Sequence, residues 1–472
     1  MIELRQYQQQ IIESLRASIV RKNKRLILCA PTGSGKTIMF TFMVSEHLKR
    51  GGSILVFTHR KELLNQAGSS FEKFDLEPDF IRAGEYPSLD GKLHVSMIET
   101  FSRRIEKYAD FLSSRTMIIF DEAHLENFTK IFPYISENTI VIGATATPLR
   151  KGNQKSLSEF YTDLIQEIDT PELIDLGYLS RAKSYGVKID LSKCKKIGDD
   201  FDTAQYYEDN KIYEGVIENY LRIANGKKTL VFTSNVESSK RLCGEFIDNG
   251  INARHIDANT KDRDDIFKWY DSTPGAVLCN CGIATTGFDQ PDIECVILYR
   301  ATTSLVLFLQ MCGRGSRITD TKKEFSILDF GNNIARLGFW EKPREWSLIK
   351  KKKKDGIAPV KHCPGCGAIL PTSIKECEYC GYIYPETEKE VKAKEIAMLQ
   401  LLTPAQGMEK AKRSDIEMKV KLSKAKVISP FWVLHNLTNI TEAREFIRLM
   451  GYKKGFEYMN KSKFKVFQND RG

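Results

Sequence analysis

Eight consecutive residues, Ala30-Pro31-Thr32-Gly33-Ser34-Gly35-Lys36-Thr37, follow the apolar run RLILC and precede IMFTFMVSEHLK, which reads as a helix. A strand, a glycine turn and a helix N-terminus aim successive backbone N–H groups at a β/γ-phosphate. Gly33 and Gly35 let the backbone of the Thr32–Lys36 stretch, Ser34 included, approach closely. Lys36 neutralises phosphate charge, and the Thr37 hydroxyl can ligate Mg²⁺. Ala30 stands where the usual G-x-x-x-x-G-K-[ST] pattern begins with glycine. A second acidic group, Asp121-Glu122-Ala123-His124, ends the run TMIIF. Asp121 can hold Mg²⁺ through water and Glu122 can polarise an attacking water. G-x-G-K-T alone could arise by chance, and D-E-A-H alone could be a solvated turn. Together they point to hydrolysis of a nucleotide, with ATP and Mg²⁺ as the implied ligands.

A third group is Cys363-Pro-Gly-Cys366 and Cys377-Glu-Tyr-Cys380, each pair followed by glycine, with ten residues between Cys366 and Cys377. Four thiolates on two tight turns suit tetrahedral Zn²⁺, and a glycine after each pair permits the positive φ that turns backbone N–H groups toward sulfur. All four positions are cysteine, so such a metal would be structural. Paired redox-active C-x-x-C motifs are the other reading.

These residues need elements to hold them. Residues 1–150 carry the runs RLILCA, SILVFT, LHVSM, TMIIFD and TIVIGAT, separated by segments long enough for crossover helices. Apolar runs of this kind are buried strands of a parallel sheet. After a polar, less regular stretch around 185–210 the pattern restarts with TLVFTS, ARHIDA, AVLCNC, CVILYR and FSILDF. That predicts a second α/β domain without its own phosphate loop. Beyond Trp346 the chain becomes lysine-rich around the cysteine cluster.

A chain of 472 residues exceeds what one core sustains, and 42% hydrophobic with 28% charged residues is ordinary globular composition. The net charge of +10 is unevenly placed: residues 341–472 hold 27 basic and 16 acidic side chains, whereas 1–340 hold 44 and 45. An acidic polymer, if it is a partner, should be met partly at the C-terminal part. There lysines interleave with Tyr452, Phe456, Tyr458, Phe464 and Phe467, which suits phosphate contact with base stacking. A solvated, partly helical appendage is the alternative. The seven cysteines outside the cluster read as buried free thiols, no run approaches the roughly 20 apolar residues of a membrane span, and a reducing cytoplasm is expected.

The phosphate loop with the D-E-A-H box resembles the superfamily 2 helicases, and further stretches agree in order. L4-R-Q-Y-Q8 is similar to the element in which a glutamine recognises adenine, which implies that role for Gln8 and Arg5. F57-T-H-R-K-E-L-L-N-Q66 resembles motif Ia, S96-M-I-E-T100 a weak motif Ib, and T145-A-T-P148 motif III. V231-F-T-S234 resembles motif IV, A284-T-T-G-F-D-Q-P291 motif V, and Q310-M-C-G-R-G-S-R317 motif VI. The resemblance implies arginine fingers at Arg314 and Arg317, nucleotide contacts at Gly287 and Asp289, and coupling of hydrolysis to strand movement through His124, Thr145, Thr147 and Gln310. The motif forms look most like bacterial RadD-type and phage DNA helicases, and less like DEAD-box RNA helicases.

The expected architecture is therefore α/β: two tandem RecA-like parallel-sheet domains (1–170 and 171–340), a basic linker (341–361), a four-cysteine zinc ribbon (362–385) and a small basic C-terminal extension (386–472). The expected activity is ATP-dependent helicase or translocase action on nucleic acid, with DNA preferred to RNA. Replication or repair proteins are expected as further partners, with a monomeric core and no membrane association. An RNA helicase, or a DNA-stimulated ATPase that anneals or remodels without unwinding, stays open.

Overall fold

A computed structural model describes residues 3–59, 71–85, 88–150, 154–187, 189, 191–209, 212–283, 290–349 and 360–384, and beyond them 416, 419–420, 423–424, 429–430, 433–434, 437 and 440–452. The chain divides into two compact units, Met1–Tyr382 and Ile383–Gly472.

The first unit holds two parallel sheets. Strands β1 (Arg25–Cys29), β2 (Ile54–Thr58), β3 (Asp79–Ile81), β4 (Leu93–Met97), β5 (Met117–Asp121), β6 (Ile140–Thr145) and β7 (Asp163–Ile165) form one sheet in the order β3-β4-β2-β5-β6-β1-β7. The second contains β8 (Arg181–Gly186), β11 (Thr229–Thr233), β12 (Ala253–Ile256), β13 (Val277–Asn280), β14 (Cys295–Tyr299) and β15 (Glu324–Asp329), ordered β12-β13-β11-β14-β15-β8. Between β8 and β11, β9 (Lys196–Ile197) and β10 (Asp200–Phe201) make a short antiparallel pair. Central strands β2, β11 and β14 are buried along their whole length. Residues apolar on both faces require helices on both faces, and that requirement is what produces the α/β layering. Helix α1 (Gln6–Val20) buries Tyr7, Ile11, Ile12 and Leu15, the spacing of one helical face. Helix α2 (Lys36–Lys49) begins directly at the phosphate loop, with Gly35 at φ +78° as its N-cap.

Strand β8 reads RAKSYG and carries too few apolar residues to be recognised as a strand. It forms because β15 offers a free edge: the two pair in parallel from Glu324↔Arg181 to Asp329↔Gly186, and the Lys183 ammonium meets Glu324 at 2.5 Å. Its outer side is covered in turn. Strands β16 (Val360–His362) and β17 (Ile369–Pro371) make an antiparallel hairpin, Ala368 pairs with Tyr185, and the Tyr379 hydroxyl donates to the Ala182 carbonyl at 3.3 Å. A covered edge is protected from pairing with other chains. Residues 341–349, expected as the start of a linker, lie against the first sheet's domain. The Gln166 side chain donates to Arg344 O at 2.7 Å and accepts from Trp346 N at 3.1 Å, while Ser156 Oγ donates to Leu348 O at 2.8 Å.

Of the seven cysteines outside the cluster, Cys29, Cys243, Cys279, Cys295 and Cys312 are buried, whereas Cys194 and Cys281, which lie outside the strands, are only half-buried; none of the seven is in a disulfide. No helix among the described residues is long and apolar enough to cross a membrane. In the second unit, helix Ile440–Met450 buries Ala443 and Phe446 with Ile416, Val420, Val433, Leu434 and Leu437. Among the tail aromatics Tyr452 is described; Phe456, Tyr458, Phe464 and Phe467, with the Lys350–Lys354 run, lie outside the described residues.

Candidate active site

The phosphate loop leaves β1 at Cys29 and enters α2 at Lys36, so its backbone curls over the C-terminal ends of β1 and β6. Gly33 and Gly35 both have positive φ (+86° and +78°), which only glycine adopts without strain. Space demands glycine as well: a Cβ at Gly35 would meet Gln8 Nε2 at 2.6 Å. Lys36 Nζ donates to the carbonyls of Ala30 and Pro31 at 3.1 Å each, folding its side chain back along the loop. Burial draws its proton affinity below the usual lysine range, and Glu122 and Asp121 act against that. Thr32 and Thr37 are half-buried on the rim and Ser34 is buried beneath.

The Gln8 amide donates to Ser34 O at 3.1 Å, and the Tyr7 hydroxyl donates to the same carbonyl at 2.7 Å. The Gln8 side-chain oxygen accepts from Arg5 N at 3.0 Å. The Arg5 guanidinium lies 4.3 Å from the ring centre of Tyr178, whose ring is tilted against Tyr7 at 5.3 Å. Arg5 and Gln8 are thus brought to the phosphate loop. Sequence reasoning misses Tyr7 and Tyr178: Tyr7 adjoins Gln8 in the chain, whereas Tyr178 reaches Arg5 only through the fold.

Asp121 ends β5, and Glu122 follows with φ +55°, a left-handed conformation that costs a non-glycine residue about 1–2 kcal/mol. The turn aims both carboxylates toward the loop. Burial pushes Asp121 up, with repulsion from Glu122 adding to it. Burial acts on Glu122 in the same direction, but hydrogen bonding and charge from His124, with Lys36 and His59, outweigh it and hold Glu122 low. The two adjacent carboxylates therefore sit in different electrostatic environments, as expected of two acids with different roles. His124 is buried, with Nδ1 at 2.9 Å from Thr145 Oγ1 and 3.3 Å from Glu122 Oε2. Thr145 Oγ1 in turn accepts from Thr147 N at 3.1 Å. His124 Nδ1 thus stands between the Glu122 carboxylate and the Thr145 hydroxyl at the turn after β6.

The second lobe reaches this site through the loop after helix Leu305–Cys312, which carries half-buried Gln310 one turn before Arg314. A Cβ at Gly313 would lie 2.9 Å from the Thr32 side chain, and one at Gly33 would lie 2.8 Å from Leu179 and 3.5 Å from Ser316 Oγ. The two loops touch through glycines on both sides. Arg314 is buried and near enough that its charge opposes protonation of Lys36. The main chain of this loop is held by residues before β8: Ser180 N donates to Ser316 O at 2.7 Å and Ser180 Oγ to Arg317 O at 3.0 Å. Gly287 and Asp289 lie outside the described residues, as do residues 60–66 of the stretch after β2.

The four sulfurs of Cys363, Cys366, Cys377 and Cys380 lie within 4.8 Å of one another, with Cys363–Cys380 at 3.5 Å and Cys366–Cys377 at 3.7 Å. Zn–S bonds of about 2.3 Å place tetrahedral sulfurs about 3.8 Å apart, so the set fits that ion. The two turns match: Gly367 N donates to Cys363 O and Gly381 N to Cys377 O, both at 2.8 Å, with φ +78° and +71°. Desolvation raises the Cys363 thiol, yet backbone N–H groups of Cys366 and Gly365 help bring it down to about 6, whereas Cys366 is pushed up to about 12, first by desolvation.

Comparison with known proteins agrees with this geometry. Residues 1–150 match the family model "Type III restriction enzyme, res subunit", 212–319 match "Helicase conserved C-terminal domain", and 361–385 match "Uncharacterised protein family UPF0547". A Saccharomyces cerevisiae protein named as an ATP-dependent helicase, IRC3, is 33% identical over 69% of this chain and 51% of its own length. The chain belongs to the superfamily 2 helicases. It thus spans about half the length of that yeast relative. A Lactococcus phage protein, named only by its size of 51.5 kDa, is 29% identical over 79% of this chain and 81% of its own. A fragment of a type I restriction-enzyme HsdR subunit from Vibrio vulnificus shares the fold, with a TM-score of 0.56 at 20% identity over 70% of this chain and 65% of that one.

Within this superfamily 2 chain the structure also separates residues that motif spacing groups together. Ser96, from the weak motif Ib, is wholly buried in β4, and its hydroxyl donates to Ile81 O and Met97 O at 3.2 Å each. Its polarity serves the sheet.

Proposed function

We propose that the chain is an ATP-dependent translocase or helicase on nucleic acid, acting on DNA in preference to RNA. Lys36, Thr37, Asp121 and Glu122 from the first lobe and Arg314 and Arg317 from the second form one hydrolytic site. The observation that carries this reading is the seating of the Gly313–Arg317 loop directly on the phosphate loop, glycine against threonine. Arginines that approach phosphate only when two lobes meet make hydrolysis depend on lobe closure. Backbone N–H groups of 32–37 and Lys36 would hold the phosphates, Thr37 and Asp121 the Mg²⁺, and Glu122 the attacking water. The bound ion supplies charge neutralisation at the phosphates. His124, standing between Glu122 and Thr145, links the water-polarising carboxylate to the turn after β6, so a change at the phosphate shifts the surface where a strand would lie.

The preference for DNA rests on motif form: the acidic box ends in His124, and motif VI opens with Gln310 where the DEAD-box RNA enzymes carry histidine. ATPase rates with single-stranded DNA, duplex, forked DNA and single-stranded RNA test it. Stimulation by RNA alone would overturn the DNA assignment. Strand displacement on the forked substrate then separates unwinding from translocation or annealing.

The cysteine ribbon is proposed to hold one structural Zn²⁺. It docks on β8 through Ala368 and Tyr379, and Arg222 donates to Cys366 O at 3.2 Å. Cys377→Ser is expected to abolish zinc retention and lower Tm by several degrees, because a broken ribbon uncovers the β8 edge. Metal analysis and thermal melting check it; a zinc-free wild type that melts normally would refute the role.

A further inference from the structure

Lys322 follows Arg317 by five residues and is almost wholly buried, although its neighbour Lys323 is exposed. Its ammonium donates to three main-chain carbonyls, Pro291 and Ile293 at 2.7 Å each and Gly315 at 2.9 Å. Pro291 closes the stretch that begins at Ala284, and Gly315 lies between the two arginines of the loop that meets the phosphate site. Three other carbonyls of that loop are also occupied: Gly313 O accepts from Ser316 Oγ at 2.8 Å, Ser316 O from Ser180 N and Arg317 O from Ser180 Oγ. One side chain, that of Lys322, thus joins the end of the 284–291 stretch to the arginine loop.

We propose that Lys322 is a positioning residue for hydrolysis, fixing the main chain between Arg314 and Arg317 against the segment Pro291–Ile293 so that both guanidinium groups are presented to the phosphates in one geometry. The inference rests on the assignment of those arginines above.

Three carbonyls require three N–H donors, and only the ammonium form has them; the neutral amine has two. Burial lowers Lys322 to about 8, Asp292 and Glu294 act to raise it, and Arg317 acts to lower it. The Asp292 carboxylate is also engaged by Lys228 at 2.6 Å. The array is therefore complete below about pH 8 and loses a bond as pH rises through that value. Turnover should fall on the alkaline side, while nucleotide affinity, set by the first lobe, should change little.

The test measures nucleic-acid-stimulated ATPase of the full chain, from neutral pH to about pH 9.5, for wild type, Lys322→Met, Lys322→Arg and Arg314→Ala. Lys322→Met is expected to cut kcat on the order of ten- to a hundredfold with KM for ATP little changed, and to lose the alkaline fall. Lys322→Arg keeps charged donors at every pH, so it should retain more of the rate and also lose that fall. A folded Lys322→Met enzyme with wild-type kcat, or a wild-type profile that stays flat to about pH 9.5, overturns the proposal. If Lys322→Met does not fold, Lys322→Arg decides, and a profile that still falls near pH 8 overturns it. Arg314→Ala keeps the two readings apart. Undiminished turnover there refutes the shared hydrolytic site, whereas its loss together with an unaffected Lys322→Met refutes the positioning role alone.

Discussion

Glu122→Gln is expected to lower ATP turnover by roughly 10²–10⁴-fold while binding of nucleotide and nucleic acid survives. The substitution is isosteric and removes the charge that polarises water. The carboxylate it replaces is held ionised by His124, whose Nδ1 lies 3.3 Å away, and by Lys36 and His59 against the opposing effect of burial. A group held below the ordinary carboxylate range stays charged across neutral pH and is protonated only in strong acid, so an acid limb near neutrality in the wild-type profile would not belong to Glu122. The phosphate-holding backbone of Gly33–Gly35 and the Lys36 side chain belong to a separate turn and stay in place, although Lys36 loses one of the two carboxylate charges that oppose the effect of its burial. Equilibrium binding of a fluorescent ATP analogue beside steady-state hydrolysis checks both halves. Normal turnover in Glu122→Gln would remove the general-base role.

Arg314→Ala should be comparably damaging, by about 10³–10⁵-fold in kcat, the range found where an arginine stabilises a transferring phosphoryl group. Arg314 stands on a loop of the second lobe, yet its charge is felt at Lys36 in the first. Removing it is expected to leave each lobe's sheet intact, since the loop's main chain is anchored by Ser180, by the Ser316 hydroxyl and by Lys322. Single-turnover hydrolysis with saturating ATP isolates the chemical step. A variant that binds ATP and nucleic acid but hydrolyses at the wild-type rate would place the charge stabilisation elsewhere.

Much of this site was legible as local pattern. The phosphate loop and the acidic box announce themselves because a backbone that wraps phosphate needs glycine at positive φ, and because a carboxylate at a strand's end needs the apolar run before it. The cysteine knuckles were legible for the same reason: two ligands and a glycine within one turn form a complete local instruction. Strand β8 escaped because its six residues are mostly polar or small, and an edge strand is specified by its neighbour's free hydrogen bonds rather than by its own hydrophobicity. Residues 341–349 read as linker, since their anchoring depends on Gln166 and Ser156, far earlier in the chain.

Lys322 and Lys323 show the limit most plainly. Adjacent and chemically identical, one is buried under three carbonyls and the other faces solvent. The sequence by itself determined the two parallel sheets, the phosphate loop on the first and the metal-ready cysteines behind the second, through patterns satisfied within a few residues or by burial alone. Tertiary structure decided which loop of the second lobe meets the phosphate site, which tyrosines gather beside Gln8, and which lysine is drawn inside. Those outcomes depend on donors and acceptors far apart in the chain, whose needs are met only after the sheets have brought them together.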